Sequence, residues 1–263
     1  RVLVGIILLI GVSTTKETTS INSQSVFQLK LDKEIVEREN EKLFSGTSIV
    51  PSGSTISLID LKKAIELAKS DDKIKGIYLD LSTIQAGFAT LEEIRNALID
   101  FKKSKKFIVA YSENYSEGAY YLASVADKIY LPPSGALEFN GLESQVIFFK
   151  GALEKLDIKV EIFKVGTYKS AVEPFFLDKM SEPSKAQVTS FMNSIYDVYL
   201  TNVSLSRAID KSKLKLLSDS MLVRNAQDAF NFKLVTDLGY KNSVDDFLKK
   251  QIGLSEKDEI NFV

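Results

Sequence analysis

The sequence of 263 residues contains no histidine and no cysteine. The chain therefore cannot by itself build a Ser-His-Asp triad, a cysteine nucleophile, a thiolate zinc site or a disulfide. The lack of cysteine leaves the redox compartment open. An excess of one charge is missing too: 34 Lys and Arg face 35 Asp and Glu, a formal net charge of -1. No basic surface thus points to nucleic acid. A glycine-rich phosphate loop is absent, because VGTYKS (Val165–Ser170) lacks the paired glycines that precede the Gly-Lys-Ser/Thr ending of such a loop. No motif points to a cofactor or a metal. With 44% hydrophobic residues the chain has enough material for one large α/β domain, and no short-period repeat divides it.

Long hydrophobic runs are also scarce. Val2–Val12, behind Arg1, spans eleven residues, where a hydrocarbon core requires about 20. Three readings fit it: a buried strand or helix, the apolar region of a signal peptide, or the distal half of a membrane anchor. The stretch STTKETTSINSQS that follows is a polar tether without a convincing small-residue cleavage pattern. The expectation is a truncated transmembrane anchor at residues 1–12 with Arg1 on the cytoplasmic side, a tether at 13–25, and one domain over 26–263. The closing EINFV alternates like a strand with nothing to complete it, so a further domain is expected beyond it.

Within residues 26–263 strand and helix patterns alternate. SVFQLKLD has the period of a half-buried strand, and a Gly/Ser/Pro-rich loop leads into a helix over Ser57–Ser70 with Leu58, Leu61, Ile65 and Ala68 on one side. IKGIYLDLS reads as a buried strand. Thr90 and Glu93 form a capping box ahead of a helix that turns Leu91, Ile94, Leu98 and Phe101 inward. Then come a strand (KFIVAYS), a helix (SEGAYYLASVA), a strand (DKIYLPP), a helix over Ser144–Leu156 and a strand (KVEIFKV). Such succession implies largely parallel pairing with right-handed crossovers. Further on, Val188, Phe191, Met192, Ile195 and Tyr199 share a stripe that reads as core or interface packing, not as a cofactor box. The acidic pairs Glu92/Glu93 and Asp245/Asp246 read as solvated helix faces.

One segment stands apart. EIFKVGTYKSAVEPFF (Glu161–Phe176) sets Lys169 between an apolar strand pattern and an apolar turn. A lone lysine is ordinarily a surface residue. VGTYKSAVEPF does not occur alone, however. YLDLS…ATLEEIRNAL, GAYYLASVADKIYLPPSGALEFNGL, FFKGALEKLDIKVEIFKVGTYKSAVEPFFLDKMS and NFKLVTDLGY follow one another in this order. Together they resemble the amino-terminal half of the long form of the signal peptide peptidase A (protease IV) family, from about Val26 to the end. The resemblance implies an α/β domain of the ClpP/crotonase class with repeated strand-strand-helix units. It implies a membrane-tethered serine endopeptidase with a Ser-Lys dyad, whose amino-terminal domain gives the lysine base and whose homologous carboxy-terminal domain gives the serine. By that resemblance Lys169 is the base. Signal peptides and hydrophobic peptides would be the substrates and a homo-tetramer the assembly. The location would be the bacterial inner membrane, with the catalytic domain on the periplasmic side of the lipid bilayer.

The chemistry is coherent with that assignment. A serine hydroxyl attacking a peptide carbonyl needs a base, and without histidine the remaining strong candidate is a neutral amine. Making an ordinary lysine, with its pKa near 10.4, a base at neutral pH means destabilising the charged form by about 3–4 kcal/mol, for which burial suffices. Phe163, Val165, Val172, Phe175 and Phe176 offer apolar surface for this. Tyr168 and Ser170 carry hydroxyls that could orient the amine, or simply face solvent. Glu173 must point away, because a nearby carboxylate would favour the ammonium; its position before Pro174 predicts an extended backbone.

The sequence also departs from a complete protease. Where the family's nucleophile segment reads Ser-Gly-Gly-Tyr, NYSEGAYYLAS places Glu117 at the serine position and Ser116 one residue out of register. The family's Pro-Gly-Gly oxyanion segment is replaced by DLSTIQAGFAT. Half a catalytic site is therefore expected. The alternatives are a non-catalytic oligomerisation scaffold and, on the likeness of the folds, a crotonase-type acyl-CoA enzyme.

Overall fold

A computed structural model of the chain describes residues 21–38, 55–81 and 83–263. The expected anchor at residues 1–12 and most of the tether lie outside them. Among the described residues no helix is long and apolar enough to cross a membrane. In chain order the elements are β1 (Ser25–Lys30), β2 (Ile35–Val36), β3 (Ile56–Ser57), α1 (Leu58–Ser70), β4 (Ile74–Asp80), α2 (Phe88–Lys102), β5 (Phe107–Tyr111), β6 (Asn114–Tyr115) and α3 (Glu117–Ala123). They continue with β7 (Lys128–Leu131), β8 (Ala136–Leu137), α4 (Lys150–Lys155), a 3-10 turn (Glu173–Phe175), α5 (Glu182–Arg207), α6 (Lys211–Asp219), α7 (Ala226–Asn231), β9 (Asp237–Leu238) and α8 (Lys241–Ile252).

Five strands form one parallel sheet in the order β1-β4-β5-β7-β9. Successive side chains on a strand point to opposite faces, and here both faces are covered. Ile77, Leu79, Ile108, Ala110, Ile129 and Leu131 enter the larger core with Leu91, Ile94, Leu98 and Phe101 of α2. Tyr78, Val109 and Tyr130 turn the other way, onto Val244, Leu248 and Ile252 of α8. That double burial explains why the strands read as near-continuous apolar runs. β2 pairs with β3 and β6 with β8 in short parallel ladders. The strand-strand-helix unit is complete at β5, β6 and α3; between β4 and α2 no second strand occurs among the described residues. The layered parallel sheet fits the ClpP-like class.

Several local expectations are corrected. α2 starts two residues before Thr90, with Gly87 as its extended N-cap, so Thr90 and Glu93 are interior helix positions and form no capping box. The helix expected over Ser144–Leu156 is confined to Lys150–Lys155. KVEIFKV forms no strand. Its alternating apolar side chains find neither a ladder nor a core, and Phe163 and Val165 stay 91% and 89% exposed. EINFV does behave as a strand edge: Val26 N–H donates to Asn261 O (3.0 Å), Gln28 N–H to Val263 O (3.0 Å), and Val263 N–H to Val26 O (3.1 Å). These bonds occupy the free edge of β1, which would otherwise offer unpaired backbone groups.

A buried guanidinium ties three helices together. Arg95 of α2 donates to Tyr121 O (2.9 Å) and Ser124 Oγ (2.8 Å) at α3, and to Asn202 O (2.7 Å) and Ser206 Oγ (2.6 Å) on α5. It also lies 4.8 Å over the Tyr121 ring. The carboxy-terminal half of α5 is thereby fixed to the core, where Tyr199, Leu200 and Val203 are buried.

The layered core makes a simple prediction. Leu98→Ala, in the fully buried α2 face, should cost about 3 kcal/mol through lost burial and a residual cavity. Leu67→Ala, on the exposed side of α1, should change stability by no more than about 0.5 kcal/mol. Urea unfolding of the two variants beside the parent chain measures both; equal losses would contradict the assigned faces.

Candidate active site

The segment carrying Lys169 leaves the domain at Gly141 and returns along α5. From Leu142 to Val198 the buried side chains are Glu173 and Ser184, both polar. Of the apolar side chains in between, none is buried: Ile147, Leu156, Phe163, Val165, Phe175 and Phe191 are exposed, and others such as Leu153, Val172 and Leu177 are half-buried. The expected stripe on α5 divides accordingly: Tyr199 is core, while Val188, Met192 and Ile195 are half-buried and Phe191 faces out. The segment is a projecting arm without an apolar core of its own.

Polar contacts give the arm its shape. Gly166 turns the chain at φ +98°, a conformation that strains any residue with a Cβ. Lys169 N–H then donates to Gly166 O at 3.4 Å, and Glu173 N–H to Ser170 O at 2.9 Å. The 3-10 turn follows, and Phe149 N–H donates to Pro174 O (2.7 Å) as the Phe149 and Phe175 rings stack 6.0 Å apart. Lys150 of α4 adds a 3.0 Å ion pair with Asp178.

Glu173 does not adopt the extended backbone expected before proline; it opens the 3-10 turn. Its carboxylate is anchored from both sides. Oε1 accepts from Ser181 Oγ (2.7 Å) and Lys164 Nζ (3.2 Å), and Oε2 accepts from Ser181 N–H (3.1 Å). These tertiary bonds override the local preference. The Ser181 hydroxyl and amide, followed by Lys164, hold the Glu173 carboxyl below its ordinary pKa. The carboxylate is thus engaged with Lys164 and Ser181.

Lys169 itself is exposed, on the wall of a recess of about 540 Å³ shared with Phe163, Val165, Tyr168, Ser170 and Gln187. Tyr168 is exposed and Ser170 half-buried; among the described residues neither hydroxyl makes a hydrogen bond, and Lys169 has no ion pair. Of the expected apolar neighbours, Phe163, Val165 and Val172 line the recess and Phe175 and Phe176 do not; Phe163 and Val165 face outward, so the described residues do not enclose the amine.

Ser116 and Glu117 do not line that recess. Ser116 is the N-cap of α3, its Oγ accepting from Ala119 N–H at 3.3 Å. Glu117 is buried, and its Oε1 accepts from Asn140 N–H (2.8 Å) and Gly141 N–H (2.7 Å). Burial raises the Glu117 carboxyl to about 7, against the two amide hydrogen bonds that favour its charged form. The side chain at the expected nucleophile position therefore fastens the root of the arm. Sequence reasoning missed both fasteners. Glu117 had no signal for its partners 23 and 24 residues away. Ser181 did have one, since Ser-Glu-Pro is a helix-start pattern.

Protease 4 of Haemophilus influenzae is 33% identical over 261 residues, covering 94% of this chain and 42% of the relative. Protease 4 of Salmonella typhi is 38% identical over 214 residues, covering 78% of this chain and 34% of the relative. The chloroplastic serine protease SPPA of Arabidopsis thaliana is 29% identical over 209 residues, with 78% and 30% covered. The chain spans less than half the length of these curated relatives. A sequence model described as peptidase family S49 matches residues 100–255, a stretch holding α3, the whole arm and α8. With more than half of its length in that match, the chain belongs to peptidase family S49.

Proposed function

We propose that the chain is the base-bearing half of a serine endopeptidase site, with Lys169 as general base. The serine nucleophile and the oxyanion donors come from a neighbouring domain that packs on the arm. The observation that carries this reading is the location of Lys169 on an arm where, among the described residues, Phe163 and Val165 beside it are left uncovered. Exposed apolar surface of this kind marks an interaction site. Covering Phe163 and Val165 removes water from around the amine, which disfavours its charged form, and brings a foreign hydroxyl within its reach. The neutral amine then accepts the serine proton as the oxygen attacks the peptide carbonyl, and the resulting ammonium returns a proton to the departing amine.

Tyr168 and Ser170 border the same recess and orient the amine once it is covered. Cleaved signal peptides fit as substrates: they are apolar, and an anchor at residues 1–12 would hold the domain beside the bilayer that releases them. A homo-tetramer would supply further surface for the arm.

Two experiments on the intact protein test the reading. Lys169→Ala should lower kcat by about 1000-fold or more, and Lys169→Arg should fail to restore it because a guanidinium stays protonated. Peptidase activity retained by a folded Lys169→Ala protein would contradict the role and leave a scaffold. Phe163→Asp, at a site of 91% exposure, should shift the stability of residues 21–263 by less than about 0.5 kcal/mol. It should nonetheless lower activity at least tenfold in the assembled protein. Unchanged activity would mean that the arm is not covered.

A further inference from the structure

Two lysines stand five positions apart on the arm, and the structure treats them differently. Lys164 lies in the same recess as Lys169. Its ammonium is paired with Glu173 at 3.2 Å, their side chains being 24% and 2% exposed. Lys169 has no ion pair among the described residues. Glu173 is the single buried charge between Leu142 and Val198, and a buried carboxylate is stable only when its oxygens are bonded. Its bonds reach both limbs of the loop: Lys164 upstream, and Ser181, the N-cap of α5, downstream.

We propose that Glu173 is the positioning residue of the site: it clamps the two limbs of the lysine loop together and gives its charge to Lys164, so that Lys169 is the amine left to react. The inference rests on the reading of Lys169 as base and adds how this chain selects between two neighbouring lysines. The arrangement cancels the Lys164 charge next to the amine and keeps the Glu173 charge from trapping it. The other charged groups on packed elements are Lys150, Glu154 and Lys155 of α4, Asp178 and Lys179 after the 3-10 turn, and Glu182 and Lys185 in the first turn of α5; all face solvent to a larger degree than Glu173. The phenol of Tyr168 borders the recess as well.

The test is a charge cycle on the intact enzyme, read from the acid limb of its kcat/KM profile, where activity appears as the base loses its proton. Glu173→Gln keeps the shape and removes the anion, leaving Lys164 unneutralised; a cation near the base favours its neutral form, so the limb should move to lower pH by about half a unit or more. Lys164→Met leaves the Glu173 anion free, which favours the charged base, so the limb should move to higher pH. Glu173→Gln combined with Lys164→Met should return the limb toward its parental position. A lower kcat with all limbs unmoved would reduce Glu173 to a structural role and overturn the inference, with Lys169 still the base. Loss of the Lys169 requirement itself, read from Lys169→Ala in parallel, would instead overturn the underlying assignment. Should Glu173→Gln prove unstable, Ser181→Ala removes the hydroxyl bond of the downstream limb without altering charge, the Ser181 N–H bond to Glu173 remaining. It should lower kcat while leaving the limb in place, and a displaced limb would count against the charge assignment.

Discussion

A buried carboxylate on an arm without a hydrophobic core is the constraint around which this structure is organised. The Glu173 anion, removed from water, is tolerable only because the hydroxyl and amide of Ser181 and the ammonium of Lys164 meet it. Those bonds close the loop on which Lys169 stands. The Ser181 that completes them also caps α5, and α5 is held to the sheet domain at its far end by Arg95 and the burial of Tyr199. The loop that carries Lys169 is therefore tied back to the core through α5.

The opposite end of the arm is governed in the same manner. Glu117, at the start of α3, holds the backbone of Asn140 and Gly141 where the chain departs. Both attachments are carboxyl groups shut off from solvent by the fold, where a lost hydrogen-bond partner is expensive. The arm is thus oriented by hydrogen bonds and left apolar on its outside. Under the proposed reading another surface completes it, in keeping with a recess in which, among the described residues, no serine hydroxyl is bonded to Lys169.

Much of the domain was legible in the sequence, because burial imposes period. Leu91, Ile94, Leu98 and Phe101 were expected inside and are buried, and the Ser57–Ser70 helix has Ser57 as its cap. Glu92/Glu93 and Asp245/Asp246 lie on the less buried sides of α2 and α8. Periodicity failed where nothing covers the pattern: Lys159–Val165 reads as a strand, yet a strand-like pattern does not state that a sheet is there to receive it. The Thr90/Glu93 box is absent because the helix already begins at Phe88, with Gly87, three residues before Thr90, at the N-cap position. The site was legible only in part. Lys169 was singled out by resemblance, since no neighbour marks it on physical grounds. The fastening by Glu117 and Glu173 depends on contacts between separated segments, and composition carries no trace of those.

The central claim is that the Lys169 amine acts only when another surface closes over the arm. An experimental structure of the intact assembly measures this most directly. The account predicts Phe163 and Val165 covered by neighbouring protein, and Lys169 Nζ at hydrogen-bond distance, about 2.6–3.2 Å, from a serine Oγ contributed from outside these 263 residues. Finding Nζ in open solvent, with the arm uncovered and no serine within reach, would contradict it.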